Sequence, residues 1–524
     1  MYQIKIVQEH TPRLPWLKGM LLLFATLLFS AGCHCLSGPS RAPKLGRAAG
    51  SKENIVYASA FSSITDAVAA ARGTTLVVDN AVYIDENITL SVPHGRIIVE
   101  PGGMITIKPG MTLTLASPFS AAPIQVFATP ASNSSAGTVR FASVEHIYPQ
   151  WWGAVGDGKT DDTAAFQRMF DATYDASTGS YRTYTFLEGR YLINGTVTLD
   201  PKPAPPVAFG IQVAPTLLGV GMGSVTTYLG MGTTFIKNTT GPMFVIAGSY
   251  DAATDKFTLN SKAHVNPKYF TTERIRFTST LSTSNILKIK PVGILGESRH
   301  ARIRDSIFTH LWTGIDTRGY SDYSLYDGCI FDCFKAVILR SPDATAFIRC
   351  QFGETFVESL QKSGNTCGPA ITISGGDVKL QSCSMNCYKN EWAISMVGTG
   401  FPVLSIDDLH AEGCLLLNAN CTPFADGKIS GSRISISNSR MGFGQAQGRD
   451  SAITLNHVDG TEIANSVFYA LKGTKLPHSL FSVSHGNLLI RGTSFIEESS
   501  ANPYLGKAVI PGHVLGPNGN IVFQ

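Results

Sequence analysis

Eight six-residue units recur through the C-terminal part of this 524-residue chain, at residues 303–308, 326–331, 347–352, 380–385, 406–411, 436–441, 463–468 and 490–495. Their starts are separated by 23, 21, 33, 26, 30, 27 and 27 residues. Repetition in that range is the mark of a solenoid in which each coil buries its apolar side only against the next. The first and sixth positions are large and apolar except for Ala411, as inward ladders require. The third position is Asp305, Gly328, Arg349, Ser382, Asp408, Asn438, Asn465 and Gly492. Asp, Asn and Gly tolerate left-handed backbone, so this position predicts a tight turn between two strands. The fourth position is Ser306, Cys329, Cys350, Cys383, Leu409, Ser439, Ser466 and Thr493. Apart from Leu409, that is a stack of small side chains pointing inward past the turn. Parallel strands stack about 4.8 Å apart, so eight such coils span roughly 35–40 Å.

Composition agrees with a long stacked fold. Apolar residues make up 44% and charged residues 15%, with 51 glycines and 27 prolines to punctuate short strands. The formal charge is +4, and removal of residues 1–32 leaves 39 basic and 37 acidic side chains. Neither balance is the electrostatic footprint of a nucleic-acid binder, and no nucleic-acid partner is expected. Eight of the ten cysteines lie from Cys329 to Cys421. Two readings stand for them: reduced core fillers, or disulfides between neighbouring coils in an exported protein. Paired Cys-x-x-Cys motifs are lacking, so no zinc site is expected.

Residues 153–170 read Gly-Ala-Val-Gly-Asp-Gly-Lys-Thr-Asp-Asp-Thr-Ala-Ala-Phe-Gln-Arg-Met-Phe. This is a strand end, a tight turn at Gly156 and Gly158, and a helix that places Ala165, Phe166, Met169 and Phe170 on one face. Thr160 or Asp161 suits the helix cap, and Asp161 and Asp162 suit its positive end. The stretch resembles the opening motif of the pectate lyase superfamily, in the branch that groups rhamnogalacturonase-like and epimerase-like proteins. There GA-x-GDG-x-TDDT-x-A-x-Q leads into the solenoid, and residues 147–153 (Ile-Tyr-Pro-Gln-Trp-Trp-Gly) fit as well. The resemblance implies an all-β fold: a right-handed, single-stranded parallel β-helix of the pectin-lyase-like kind, with an N-terminal capping helix, over residues 146–500. Turn formation and capping account for Asp157, Asp161 and Asp162, which are read as structural.

The N-terminus reads as a targeting segment. Lys5, Arg13 and Lys18 precede an apolar run over residues 20–29, too short to span a bilayer comfortably, and Ser30, Ala31 and Gly32 follow. Cys33 comes next, which resembles a bacterial lipoprotein signal and implies a lipid on Cys33 as the membrane partner. Ordinary cleavage near Ala31 or Gly32, with release, is the alternative. The expected organisation is a signal peptide at 1–32, a flexible tether at 33–53, a small β-rich segment at 54–145, the β-helix at 146–500 and a tail or cap at 501–524. The expected location is exported: an outer-membrane-anchored lipoprotein, or periplasmic or secreted. In the 54–145 segment, Ser63 and Asp66 predict a capping box before a short helix. Strands follow at Thr75–Val78, 88–92, Arg96–Val99, Met104–Ile107 and Thr112–Leu115, spaced about ten residues apart and thus tighter than the later coils.

Enzymes of the superfamily bind sugar chains in a groove along the outside of the β-helix. Hydrolases need a carboxylic acid and a carboxylate; lyases need a base and something cationic, often calcium, to stabilise an enolate. The polygalacturonase signatures Asn-Thr-Asp, Gly-His-Gly and Arg-Ile-Lys are absent, so no catalytic residue carries over by motif. Position in the coil supplies the candidates instead. Asp332 and Glu412 lie one place after their units, and His310 and Glu354 two places after. Asp332, Glu354 and His410 are the candidate catalytic residues, with Asp332 and Glu354 expected on adjacent coils. Lys335, Arg340, His310 and Glu412 are candidate substrate-binding residues, the two cations suiting uronate carboxylates. The competing reading is that these are solvated turn residues. Tyr320, Tyr323, Tyr388 and Trp392 are sugar-stacking platforms or simple covers of the solenoid. The function expected is a polysaccharide hydrolase or lyase acting on an acidic glycan. A non-catalytic glycan-binding scaffold and a uronate epimerase stand as alternatives. No cofactor is expected beyond calcium in the lyase case, and a homo-oligomer stays open.

Overall fold

The structure, a computed structural model, describes residues 55–524 apart from 129–136, 176–179, 200–214, 222–231, 260–269, 298, 320, 354, 363, 366, 387–391, 400–401, 414, 423–430, 444–450, 471–478, 498–506, 509–512 and 516–517. The signal segment, the tether and Cys33 therefore lie outside the described residues, as do Glu354, Tyr320 and Tyr388. Residues Glu53–Gln524 form one compact unit.

Helix α1 (Ile64–Ala70) is capped as its sequence predicts: Ser63 Oγ accepts the Asp66 N–H at 3.1 Å and donates to Asp66 Oδ2 at 2.7 Å. The strands after it coil into a small solenoid of their own. Thr75–Val78, Ala81–Ile84 and Ile88–Leu90 make one coil, Arg96–Val99, Met104–Ile107 and Thr112–Leu115 the next, and Phe119–Ala121, Phe127–Ala128 and Thr138–Phe141 the third. Thr75 pairs with Arg96 and Ile97 with Phe119, giving coils of 21 and 22 residues. The ten-residue spacing in the sequence is thus the distance between sides of one triangular coil, and not a shorter coil.

The signature stretch joins this solenoid to the larger one. Trp151 and Trp152 close the small core, with ring centroids 5.3 Å from Phe119 and 4.9 Å from Phe127 respectively. Gly153, Gly156 and Gly158 all have positive φ. Asp157 accepts the N–H groups of Lys159 and Thr160, and Asp161 accepts that of Thr163. The buried Asp162 carboxylate accepts the N–H groups of Val155 at 2.7 Å and Gly156 at 3.1 Å. All three aspartates therefore serve the turn and the start of helix α2 (Thr163–Thr173). Ala165, Phe166, Met169 and Phe170 are buried. Helix α2 packs on both the last strand of the small solenoid and Val197–Leu199 of the large one. It is a joint within one continuous core rather than a cap on a free end.

The large solenoid is a right-handed parallel β-helix with three ladders, the hand that parallel crossovers take. The first ladder runs through Gly241–Ile246, Pro291–Gly296, Thr313–Thr317, Lys335–Arg340, Ile371–Ser374, Ile394–Thr399 and Leu417–Thr422. The second includes Thr271–Glu273, Arg302–Arg304, Leu325–Asp327, Thr345–Ile348 and Asp377–Gln381; the third includes Ile275–Thr278, Ile307–Thr309, Ile330–Asp332, Gln351–Phe352, Ser384–Asn386 and His410–Glu412. Between second and third ladders, Asp305, Gly328, Arg349, Ser382, Asp408, Asn438, Asn465 and Gly492 all have positive φ, from 44° to 63°. Arg274, at 58°, adds an earlier coil to that row. The coils in fact begin well before the countable repeat, with Asp157–Asp161 already paired to Gly189–Leu192 in the third ladder and Thr183–Phe186 opening the second. Insertions hide them: an antiparallel hairpin (Gly248–Asp251 with Lys256–Leu259) and helix α3 (Thr283–Ile289). Helix α4 (Thr355–Lys362) is inserted further along.

The fourth-position stack is inward, as expected. Sγ of Cys329, Cys350 and Cys383 donates to the carbonyls of Ile303, Tyr326 and Phe347, at 3.3, 3.3 and 3.5 Å, each the first residue of the preceding unit. Cys329, Cys333, Cys350, Cys367, Cys383 and Cys421 are all buried and free of disulfides.

Candidate functional site

A cleft of about 350 Å³ opens on the outer side of the first ladder. Its floor comes from Pro291–Gly296, Thr313–Thr317 and Lys335–Arg340, where Leu295 pairs with Asp316 and Asp316 with Ile338. One wall is the hairpin, through Tyr250 and Asp255, and the other is the end of α3, through Lys288 and Lys290. The lining holds five cations, Lys288, Lys290, Arg318, Lys335 and Arg340, against two carboxylates, Asp255 and Asp316.

Both carboxylates are already engaged. Arg318 Nε donates to Asp316 Oδ2 at 2.6 Å, and Arg340 Nε lies 3.6 Å from Oδ1. Tyr250 Oη donates to Asp255 Oδ1 at 2.9 Å. Burial, with Asp255 alongside, pushes the Tyr250 phenol up to about 12. Gly241 makes this wall possible. A Cβ there would sit 2.6 Å from the Tyr250 ring, at a backbone φ of 83° that disfavours other residues. Trp312 supplies a flat aromatic surface, stacked on Phe334 with centroids 4.0 Å apart. The Lys290 and Lys335 ammonium groups lie 5.1 and 5.7 Å from its ring centroid, within cation–π range. Behind it, Ile286 of α3 and Phe356, Val357 and Leu360 of α4 form a separate apolar cluster that holds Trp312 and Phe334 in place.

Of the sequence candidates, Lys335 and Arg340 meet in this cleft. Asp332 does not. It is fully buried, because α4 folds across the outer side of its strand. Its Oδ2 accepts the Phe356 N–H at 2.8 Å and its Oδ1 the Val357 N–H at 3.0 Å, so it caps α4 instead of facing a substrate. His310 belongs to the same buried corner. Its ring lies 4.6 Å from Phe356 and 2.8 Å from Thr309 Oγ1. Burial, with Arg276 nearby, drives its pKa down to about 4. His410 and Glu412 lie three coils further on the third ladder, about 14 Å from Asp332 at the ladder spacing. There His410 Nε2 and Tyr469 Oη lie 3.1 and 3.3 Å from Glu412 Oε1. Gly442 permits this, since a Cβ would come within 2.7 Å of the Tyr469 ring. Tyr323 stacks on His300, and Trp392 packs against the core as a cover.

Sequence reasoning missed Asp316, Arg318, Lys288, Lys290, Trp312 and Tyr250. Arg318 and Arg340 stand at matching ends of neighbouring first-ladder strands, a relation legible only once the coil register is known. Calcium takes about six to eight oxygen ligands. Two ion-paired or hydrogen-bonded carboxylates among five cations do not fit it. No group of three or more His, Cys, Asp or Glu suited to a metal occurs among the described residues.

The molecule is thus a parallel β-helix protein with a cation-rich cleft on one ladder. No family model matches the chain, and no curated protein does. Among solved structures, it is similar over 72% of its length to the Acinetobacter phage vb_AbaP_AS12 gp42 tailspike, at 12% identity and TM-score 0.42. It is likewise similar to the DFA-IIIase of Arthrobacter chlorophenolicus A6 without its lid, with 72% of this chain and 93% of that one covered, at 13% identity and TM-score 0.49. A third is ORF18 of Geobacillus virus E2, at 15% identity and TM-score 0.32 over 72% of this chain. The match spans 62% of the tailspike and 61% of the viral chain. With every one of these TM-scores below 0.5, the fold rests on the ladder register itself.

Proposed function

We propose that this chain is an exported member of the pectate lyase superfamily that acts on a uronate-containing polysaccharide seated in the first-ladder cleft. The observation that carries the proposal is the convergence of Arg318, Arg340, Lys335, Lys288 and Lys290 around a cleft that also offers the Trp312 face. Aromatic faces accept sugar rings and the cations accept carboxylates. Elimination suits this lining better than hydrolysis. A lyase needs fixed positive charge where the enolate develops, which the two arginines would supply without calcium, and a base for the proton next to the carboxyl, a role open to Lys288, Lys290 or Lys335 in its neutral form. A hydrolase needs two independent carboxyl groups, whereas Asp316 is ion-paired and Asp255 is bonded to Tyr250. Export and a lipid on Cys33 belong to the same proposal. They are checked by the mass of the N-terminal peptide and by release of the Cys33→Ala protein from the membrane.

The test is to incubate the protein with pectic, alginate and bacterial exopolysaccharides, with and without calcium, recording new reducing ends and the ultraviolet absorbance of unsaturated products. Both signals together, independent of calcium, support elimination. Reducing ends alone mean hydrolysis. Binding with neither signal leaves a glycan-binding scaffold. A second reading, epimerisation without cleavage, draws on the His410–Glu412–Tyr469 cluster, which sets an exposed imidazole base and a largely buried phenol acid on one carboxylate. Inversion seen by NMR and lost in His410→Ala would favour it.

A further inference from the structure

One oxygen of Asp316 has no hydrogen-bond donor among the described residues. The residue is 5% exposed and lines the cleft. Oδ2 is taken by Arg318, whereas Oδ1 is buried with no hydrogen-bond donor among the described residues. Arg340 Nε, at 3.6 Å, is an ion-pair neighbour beyond hydrogen-bond reach. A buried carboxylate oxygen left without a donor is costly, and such atoms are nearly always satisfied by protein, water or ligand. Here the surroundings say what kind of donor completes it. The guanidinium groups of Arg318 and Arg340, aligned on neighbouring coils around Asp316, leave an anion-accepting edge beside an acceptor atom.

We infer that Asp316 is the specificity-determining residue of the cleft: once the side chains over it, Arg340 among them, turn to admit a ligand, its Oδ1 accepts a hydrogen bond from a ring hydroxyl of a sugar whose carboxylate is held by Arg318 and Arg340. The cleft then selects an anion that carries a hydroxyl close to its charge, and discriminates against one whose hydroxyl is blocked. Discrimination of this kind is strong because the blocked ligand leaves the buried oxygen unpaired, and a site built around a polar contact rejects the analogue that lacks it. This inference rests on the uronate reading of the cleft and adds the acceptor that reads the hydroxyl.

The experiment measures binding of methyl uronosides with ring hydroxyls free or individually O-methylated, by ligand-observed NMR, to the wild-type protein and to Asp316→Asn and Asp316→Ser. Wild type should lose roughly tenfold or more on methylation of one particular hydroxyl, the size of a hydrogen bond to a charged acceptor. In both variants that ratio should fall below about threefold, even though loss of the carboxylate also disturbs the two arginines and lowers overall affinity. The ratio, and not the affinity, is the readout, since a merely structural role for Asp316 would weaken free and methylated ligands alike. An unchanged ratio in the variants overturns the inference. So does a wild-type protein that binds uronosides without distinguishing the methylated forms, which needs no variant to fold. If wild type binds none of the uronosides, the uronate reading falls and the inference falls with it.

Discussion

Asp332 offers the sharpest test of how this solenoid holds its outer furniture. Its carboxylate is buried and takes the N–H groups of Phe356 and Val357, at 2.8 and 3.0 Å. These are among the first N–H groups of α4, which have no partner within the helix. Asp332→Ala strips both and leaves two buried donors, each worth about 1–3 kcal/mol, so a loss of about 3 kcal/mol is expected. Asp332→Asn keeps one acceptor oxygen and should lose roughly half as much. The damage should be local. The α4 cluster of Phe356, Val357, Leu360, Ile286 and Cys367 is separate from the solenoid core, so α4 can open without the coils. Native-state hydrogen exchange should show residues 355–362 losing about a hundredfold in protection in Asp332→Ala, at 1.4 kcal/mol per tenfold. Third-ladder amides on neighbouring coils should be unchanged. Unaltered protection of α4 in the Ala variant would refute the capping argument. Loss of turnover without loss of protection would return Asp332 to catalysis.

Other outcomes follow from the same geometry. Arg340→Gln and Lys335→Met should each raise the Kd for an oligouronate by roughly tenfold at low salt, with less effect as ionic strength screens the pair; equal affinity would remove them from the cleft's function. His310 has its pKa depressed to about 4 by burial, below the usual value near 6.5. The unfolded chain therefore binds its proton first as pH falls, so stability should be full above about pH 6.5 and decline towards pH 4, by at most about 3 kcal/mol. Urea midpoints at both ends should show that loss, and His310→Phe should abolish it. Burial raises the Cys333 and Cys350 thiols above their ordinary range, and a hydrogen bond with Cys350, followed by burial, does so for Cys383. They should resist alkylation until the protein unfolds, as peptide mass spectrometry would report; rapid labelling of the native protein would contradict the inward stack.

The ladder was legible because its chemistry repeats. Each third-position residue has to turn left-handed once per coil, and each fourth-position residue has to fit inside that turn, so Asn438, Asn465 and Gly492 announce the same event as Asp305 and Gly328. The capping of α1 by Ser63 and the structural work of Asp157, Asp161 and Asp162 were legible for a related reason: they are local, decided within a few residues. The upstream coils were not, since the hairpin and α3 break the spacing that would have exposed them.

The sequence by itself determined the stacking: apolar side chains at fixed coil positions leave no other way to bury them, and parallel strands then fall into register. It could not determine the outer surface, where a residue's fate depends on what folds over it. Asp332 and Lys335 are three places apart, yet α4 covers the first and the open first ladder presents the second. Asp316, Arg318, Arg340 and Trp312 become one site only because neighbouring coils stack a few ångströms apart while α3 and the hairpin, both inserted off the repeat, raise its walls. Repetition fixes what points inward. Insertions of unique sequence, packed by tertiary contact, decide which outward groups stay in water and which are brought together.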